Sequence, residues 1–275
     1  MKAPAKLEAL SVGEANLGRG GTYPPLGFIP VWDAELGNGD YYGLYWPYGK
    51  ENDEPIVCDM RHDEGTIAFA FSSVAVFLGW LEANDHERGD VEVEDRASVV
   101  LRFQQAKALM GRQPEAAVPL LREICAAFPE SAEYWYTLAT QLRRIGDSTA
   151  CHQAAVRAFA SNWAFGLPPN GTLKLLQNAR GHLDDPLVQR SGELGLTYGG
   201  TKENASYRIL RECIAAYLSS ATPVLGLLLD QNFGYLMSSE TTAFQERQGF
   251  KADAWDEEHR RLCQQVLGDA RTSMT

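Results

Sequence analysis

Two different hydrophobic patterns divide this chain and limit the folds open to it. Up to about residue 71, short apolar runs alternate with clusters of Gly, Pro, Asn and Asp, which is typical of strands and turns. From about residue 95 onward, apolar residues recur with the spacing of amphipathic helices. The sequence therefore predicts an α+β protein: a small antiparallel sheet with one helix at the N-terminus, then an all-α region.

Four strands are predicted in the first part, because each apolar run is rich in β-branched or aromatic residues and ends at a turn signal. They are Phe28–Trp32, Tyr41–Trp46, Pro55–Met60 and Thr66–Phe71. After them the period changes. Ser72 or Ser73 can cap a helix whose apolar residues follow at i, i+3, i+4 and i+7 from Val74. This helix is expected to pack on the sheet.

The acidic, apolar-poor stretch Asp85–Asp95 predicts a domain boundary. We expect one domain at residues 1–90 and a helical domain at residues 91–275. Helical hairpins at about residues 98–163 repeat with a period of about 34 residues, which is tetratricopeptide-like. Further helices are predicted near Ser206–Leu218 and Trp255–Leu267, with one or two buried helices in Thr222–Met237.

Composition limits the kinds of partner and the cellular compartment that we expect for this protein. The net charge of -11 argues against a nucleic-acid binder, since such proteins neutralise phosphates with Lys and Arg, and it suits a basic partner. Five scattered cysteines without a Cys-x-x-Cys pair, and the lack of a visible secretory signal, predict reduced thiols in the cytoplasm. The most apolar stretch is too short to span a bilayer, so no membrane association is expected.

Motifs for catalysis or metal binding do not emerge from the sequence. It has no Gly-x-Ser-x-Gly elbow, and its five histidines fall in polar or helical-surface contexts. The segment Asp59–Glu64 contains ligand residue types but lacks the His-Glu-x-x-His spacing of a helical zinc site. We therefore expect no enzyme activity, no metal and no cofactor.

The segment Gly37–Glu82 resembles the SUKH superfamily. The resemblance is carried by Gly39–Leu44, a variable loop, Pro55–Val57, the acidic turn His62–Glu64 and a helix containing Phe77 and Leu78. Many bacterial members of that family are immunity proteins that neutralise co-encoded toxins, nucleases in particular. The resemblance implies an α+β domain and a bacterial immunity protein that covers a toxin inside the producing cell.

An acidic, aromatic surface would suit a toxin with a basic cleft, because charge complementarity speeds encounter and aromatic side chains anchor interfaces. The turn Gly37–Asp40, the loop Trp46–Glu54 and the His62–Glu64 turn supply such residues. The candidate contact residues are Asp40, Tyr41, Tyr42, Trp46, Tyr48, Glu51, Asp53, Glu54, Asp59, His62, Asp63 and Glu64.

A second hypothesis is an adaptor or chaperone that binds peptide segments of a protein partner along its helical hairpins. On the helix capped by Ser131, Trp135 is assigned to the core. Tyr134 or Tyr136 could line a concave binding face, or both could be surface or packing residues, which the sequence favours. The helical region could also carry the toxin contact or mediate dimerisation, which leaves a homodimer open.

Overall fold

The computed structural model of the chain describes residues 1–2, 20–33, 39–195 and 205–271. These residues form two compact units, one of Met1–Arg102 together with the segment that starts at Cys263, the other of Phe103–Leu262. The boundaries of these units differ from the predicted domain boundary at residue 90. The first unit extends to Arg102 and includes residues from the C-terminal end of the chain. Gly37 and Asn38 of the predicted turn lie outside the described residues.

The first unit contains an antiparallel four-stranded meander in the order β1-β2-β3-β4. Its strands are β1 (Phe28–Trp32), β2 (Tyr41–Tyr45), β3 (Ile56–Met60) and β4 (Ile67–Phe71). All four predicted strands are confirmed, with ends that differ by one residue at most. The predicted helix follows as α1 (Val74–Ala83), and Ser73 caps it by accepting a hydrogen bond of 3.3 Å from the Val76 amide.

Helix α1 covers one face of the sheet. Its buried residues Val74, Phe77 and Leu81 join the side chains that β1, β2 and β3 direct to that face, including Ile29 and Leu44. On the other face, the Phe28 ring lies over Gly43, where a Cβ atom would come within 2.2 Å of it. Only glycine fits there, so this position is fixed by close packing of a ring against the backbone.

The acidic stretch after α1 belongs to the first unit. Asn84 accepts a hydrogen bond from the Val91 amide and donates one to the Val91 carbonyl, both at 3.0 Å. The Asp95 carboxylate accepts hydrogen bonds from the Ser72 amide at 2.8 Å and from its hydroxyl at 2.5 Å. These bonds tie the stretch back to α1 and to the end of β4, so it does not act as a free linker.

The rest of the described chain is helical. Its helices are α2 (Val99–Met110), α3 (Pro114–Ala127), α4 (Ala132–Arg144), α5 (Ser148–Ala160), α6 (Gly171–Asn178), α7 (Pro186–Arg190), α8 (Ser206–Leu218), α9 (Pro223–Ser238), α10 (Thr242–Arg247) and α11 (Ala252–Leu267). Short 3₁₀ helices occupy Trp163–Phe165 and Gly268–Arg271. The ambiguous stretch at Thr222–Met237 forms the single helix α9.

Side-chain caps set where the helices of the second unit begin. The Ser131 hydroxyl accepts from the Tyr134 amide at the start of α4, and the Asp147 carboxylate accepts from the Ala150 amide at the start of α5. Helix α4 packs between α3 and α5. Among the described residues, no helix is long and apolar enough to cross a membrane.

Candidate functional site

Two aromatic residues of the predicted toxin-binding surface lie in the core of the first unit, and a third, Tyr42, is partly buried against that core. Trp46 and Tyr48 are 0% and 4% exposed. The Tyr42 ring lies 5.3 Å from the Phe77 ring and 5.5 Å from the Trp80 ring of α1, which places it on the covered face of the sheet. The expectation that Trp46 and Tyr48 form an exposed contact surface is wrong, because the loop after β2 turns them inward, and strand alternation leaves Tyr42 only partly exposed. Tyr41, on the opposite face, is half-buried.

Glu51 is also buried, with 4% of its surface exposed. Its carboxylate accepts a hydrogen bond of 2.8 Å from the Arg271 guanidinium and another of 3.1 Å from the Gly49 amide. A buried carboxylate needs such partners to offset its lost hydration. Glu51 therefore stabilises the loop from within, and its predicted place on the acidic surface needs correction.

Asp59 lies on β3 between two arginines. Its carboxylate is 3.3 Å from the Arg88 guanidinium and 3.4 Å from that of Arg61. The Arg88 guanidinium also lies 5.0 Å from the centroid of the Tyr42 ring. The charge of Asp59 is thus compensated inside the unit, which leaves little of it for an external basic partner.

The exposed carboxylates of the predicted surface are paired in the same way. The pairs are Lys50–Asp53 at 3.1 Å, Lys2–Glu54 at 3.5 Å and Arg61–Glu64 at 3.1 Å. Each is a surface ion pair that adds little stability, but each places a positive charge beside the negative one. The expected acidic patch is therefore a mixed-charge surface.

Asp40, His62 and Asp63 come together at one end of the sheet. The Asp40 carboxylate accepts from the His62 amide at 3.0 Å and lies 2.9 Å from the His62 Nδ1 atom. The hydrogen bond to Asp40 raises the pKa of His62. One ligand-type atom from each of the three residues falls within 4.8 Å of the others. His62 and Asp63 are exposed, and the bonds to Asp40 account for the grouping as a turn that fastens the start of β2 to the β3–β4 connection.

A concave surface of a different kind lies in the second unit. It is a groove of about 400 Å³, called here the α4–α5 groove. Its lining residues are Arg122, Trp135, Leu138, Leu142, Ala150, Gln153, Ala154, Val156, Arg157, Leu183, Asp185, Thr222 and Leu225. The groove thus draws on α3, α4, α5, the start of α9 and the connection between α6 and α7.

The apolar part of the groove comes from facing helices. Trp135, Leu138 and Leu142 share one face of α4, at i, i+3 and i+7, and Ala150 and Ala154 face them from α5. Leu138 and Leu142 are buried, so the half-buried Trp135 is the residue of this α4 face that the groove exposes. The Trp135 indole nitrogen donates to the Pro129 carbonyl at 2.7 Å, which fixes the ring at the groove.

Among the aromatic residues of α4, Trp135 differs from its expected place, whereas Tyr134 and Tyr136 pack against neighbouring elements and do not line the groove. Trp135, assigned to the core from the sequence, is half-buried and lines the groove. Tyr134, proposed for the binding face, is buried with its ring 4.6 Å from the Phe103 ring. Tyr136 packs its hydroxyl against Gly171 at the start of α6. The three differ because adjacent helical residues point about 100° apart, so only one of them can face the groove.

Charged residues at the rim of the groove are unequal in their pairing. Arg122 lies 3.7 Å from the Asp147 carboxylate. The Asp185 carboxylate accepts hydrogen bonds from the Leu187 and Val188 amides and from the Tyr217 hydroxyl. The Arg157 guanidinium forms no hydrogen bond or ion pair within the described ranges, and the surrounding protein lowers the pKa of Arg157 by partial desolvation.

One histidine departs from the surface setting that the sequence suggests. His259 is fully buried, stacks on the Trp255 ring at 4.8 Å and places Nδ1 2.7 Å from the Asp230 carboxylate. Because the imidazole is inaccessible, this pair acts in packing. Its spacing from Trp255, four residues along α11, was the only sequence signal that could have indicated an inward-facing side chain.

Fold and site together define a two-unit α+β protein with a groove between helices of its second unit. The YfbP N-terminal domain family matches residues 14–90, and the YfbP C-terminal domain family matches residues 197–275. A relative described as uncharacterized protein YfbP, from Escherichia coli (strain K12), is 44% identical over 264 residues, which is 93% of each chain. The chain belongs to the YfbP family. No solved structure matches it.

The family assignment corrects the resemblance drawn from the sequence. The segment that resembles the SUKH superfamily, Gly37–Glu82, lies inside the range matched by the YfbP N-terminal domain. The assignment of this chain to the SUKH superfamily is therefore wrong. The shared features were a turn, short strands and one helix, which many small α+β domains contain.

Proposed function

We propose that this protein is a non-catalytic adaptor whose second unit binds a segment of a partner protein in the α4–α5 groove. The observation that carries the proposal is the groove itself, in which the half-buried Trp135 lies beside the buried Leu138 and Leu142, with a charged rim. Its volume of about 400 Å³ lies in the range of ligand sites and would accommodate a few side chains. An aromatic anchor beside aliphatic side chains is typical of surfaces that bind peptides.

The state of the thiols supports a role other than nucleophilic catalysis. All five cysteines are buried, and none forms a disulfide among the described residues. Burial raises the pKa of Cys213 to about 11 and raises the pKa of Cys125 further. Since the thiolate is the nucleophile, these cysteines stay protonated and unreactive near neutral pH. Free thiols also support our proposal that the protein works in the cytoplasm.

The immunity-protein hypothesis has less support. It rested on the SUKH resemblance and on an acidic, aromatic surface. The family assignment removes the first, and the burial of Trp46, Tyr48 and Glu51 weakens the second. Neutralisation of a toxin remains a prediction from the sequence, whereas the adaptor proposal is supported by a groove in the structure.

A display selection with groove-directed variants tests the adaptor proposal. Random peptides on phage would be selected on the whole protein and counter-selected on Ala150→Trp, in which the indole fills the groove from α5. Thr149→Trp is the matched control, because Thr149 is exposed on the same helix and does not line the groove. We expect peptides that bind the wild-type protein and Thr149→Trp but lose at least tenfold in affinity for Ala150→Trp. Peptides that bind all three proteins equally, or no peptides at all, would overturn the proposal.

A further inference from the structure

We infer that the partner segment bound in the α4–α5 groove carries an aspartate or glutamate side chain that pairs with Arg157, next to a large apolar side chain that lies on Trp135. This inference rests on the proposed function and adds the chemistry of the occupant. It follows from the way charge is distributed among the residues that line the groove.

Arg157 is the feature that selects an acidic occupant. It follows Gln153 by one helical turn on α5, and both line the groove. In the part of the chain that the structure describes, its guanidinium has neither a hydrogen bond nor an ion pair. Arg157 is exposed at the groove, and its five N–H donors favour a carboxylate, which can accept two of them at once. A carboxylate from a partner would therefore give Arg157 the ion pair that it does not form with the described residues.

The acidic residue of the rim does not compete for Arg157. Both oxygens of Asp185 lie 2.8 Å from the Tyr217 hydroxyl, and one of them also caps α7 through the Leu187 and Val188 amides. Its acceptor sites are thus used within the unit. The third charged residue, Arg122, lies at a looser 3.7 Å from Asp147 and is half-exposed. The rim therefore offers donors to an incoming anion and few acceptors to an incoming cation.

This arrangement contrasts with the charge of the whole chain. A net charge of -11 would favour basic partners by long-range attraction. The groove has the opposite local preference, and contacts at short range decide which segment fits once the partner has arrived. The local charge therefore predicts an acidic-apolar segment where the overall charge predicts a basic one.

The test uses the peptides selected on the groove, with Arg157→Gln and a matched control. Arg143→Gln removes the same charge from an exposed position on the neighbouring α4, away from the groove lining. Affinities would be measured by fluorescence anisotropy for each peptide and for a version in which its Asp and Glu are replaced by Asn and Gln. Circular dichroism would confirm that both variants fold.

We expect the selected peptides to be enriched in Asp or Glu beside Leu, Phe or Trp. Arg157→Gln should lower the affinity for these peptides about tenfold or more, and so should the amide replacement in the peptide. Because both changes remove the same ion pair, combining them should cause no further loss of affinity. Arg143→Gln should change affinity less than twofold. Groove-dependent peptides without acidic enrichment, or equal effects of the two arginine variants, would overturn this inference and leave the adaptor proposal standing. An absence of groove-dependent peptides would overturn both.

Discussion

The Arg271 guanidinium donates a hydrogen bond of 2.8 Å to the Glu51 carboxylate, across 220 residues of sequence. Both residues are buried. Arg271 also donates to the Trp46 carbonyl at 2.9 Å and lies 3.4 Å from the centroid of the Tyr48 ring. The C-terminal segment thus completes the first unit, and the loop after β2 is built around an arginine that the local sequence does not contain.

Loss of Arg271 should destabilise the first unit. We expect Arg271→Met to lower its free energy of unfolding by about 3–5 kcal/mol, because Glu51 would keep a buried charge without its partner. Urea denaturation followed by tryptophan fluorescence would measure this. Arg261→Met is the control, since its ion pair with Glu258 is about half-exposed and should contribute about 1 kcal/mol or less. Equal losses in the two variants would show that the Arg271 pair is not buried as described.

Charge reversal at Glu51 and at Glu54, both in the loop after β2, should have different effects on the stability of the first unit. Glu51→Lys would place two positive charges together in a buried site, so we expect the first unit to unfold. Glu54→Lys should stay within about 0.5 kcal/mol of the wild type, because Glu54 is exposed and its ion pair with Lys2 lies at the surface. Thermal unfolding of the two variants distinguishes these outcomes. A stable Glu51→Lys variant would mean that Glu51 faces solvent.

The five thiols should be unreactive until the protein unfolds. Each cysteine is buried, and a thiol reagent needs both access and thiolate. We expect Ellman's reagent to label no thiol promptly in the native protein and all five in denaturant. Prompt labelling of a native thiol at neutral pH would contradict this packing.

The dependence of stability on alkaline pH should reveal that Tyr134 is buried. Burial raises the pKa of Tyr134 to about 12, against about 10 in an unfolded chain. The unfolded state therefore releases this proton first, so the stabilisation is complete below pH of about 10 and is lost as pH rises toward about 12. Tyr134→Phe should fall less steeply in stability across that window than the wild type. Urea denaturation at a series of pH values would give the free energies of unfolding of both proteins. If these fall in parallel as the pH rises, Tyr134 has the same pKa in the folded and the unfolded state.

Local rules accounted for most of the secondary structure. Turn residues and apolar alternation placed the four strands, and caps such as Ser131 and Asp147 placed the starts of α4 and α5. Such signals lie within a few residues of the elements they define. The same rules gave a wrong prediction of a linker at Asp85–Asp95, because hydrogen bonds to Ser72 and to Asn84 order this acidic stretch.

The geometry of the candidate site could not be predicted from the sequence in the same way, because it depends on contacts between residues that are distant in sequence. Nothing near Glu51 indicates that Arg271 will cover it. The periodicity of α4 identifies an apolar face, but the neighbouring helices decide that Leu138 on this face is buried while Trp135 stays partly exposed at the groove. Side-chain spacing along one helix predicts which residues share a face, and only the neighbouring helices decide whether that face is core or groove.

Site-specific photo-crosslinking in cells tests the central claim most directly. A benzoylphenylalanine would replace Gln153, which is exposed in the α4–α5 groove, or Thr149, which is exposed outside it. We expect a discrete protein crosslink from position 153 only, abolished by Ala150→Trp, with mass spectrometry placing it in a segment that contains Asp or Glu beside a large apolar residue. The same crosslinks from both positions, or crosslinks from position 153 that persist in Ala150→Trp, would contradict the groove as the binding site.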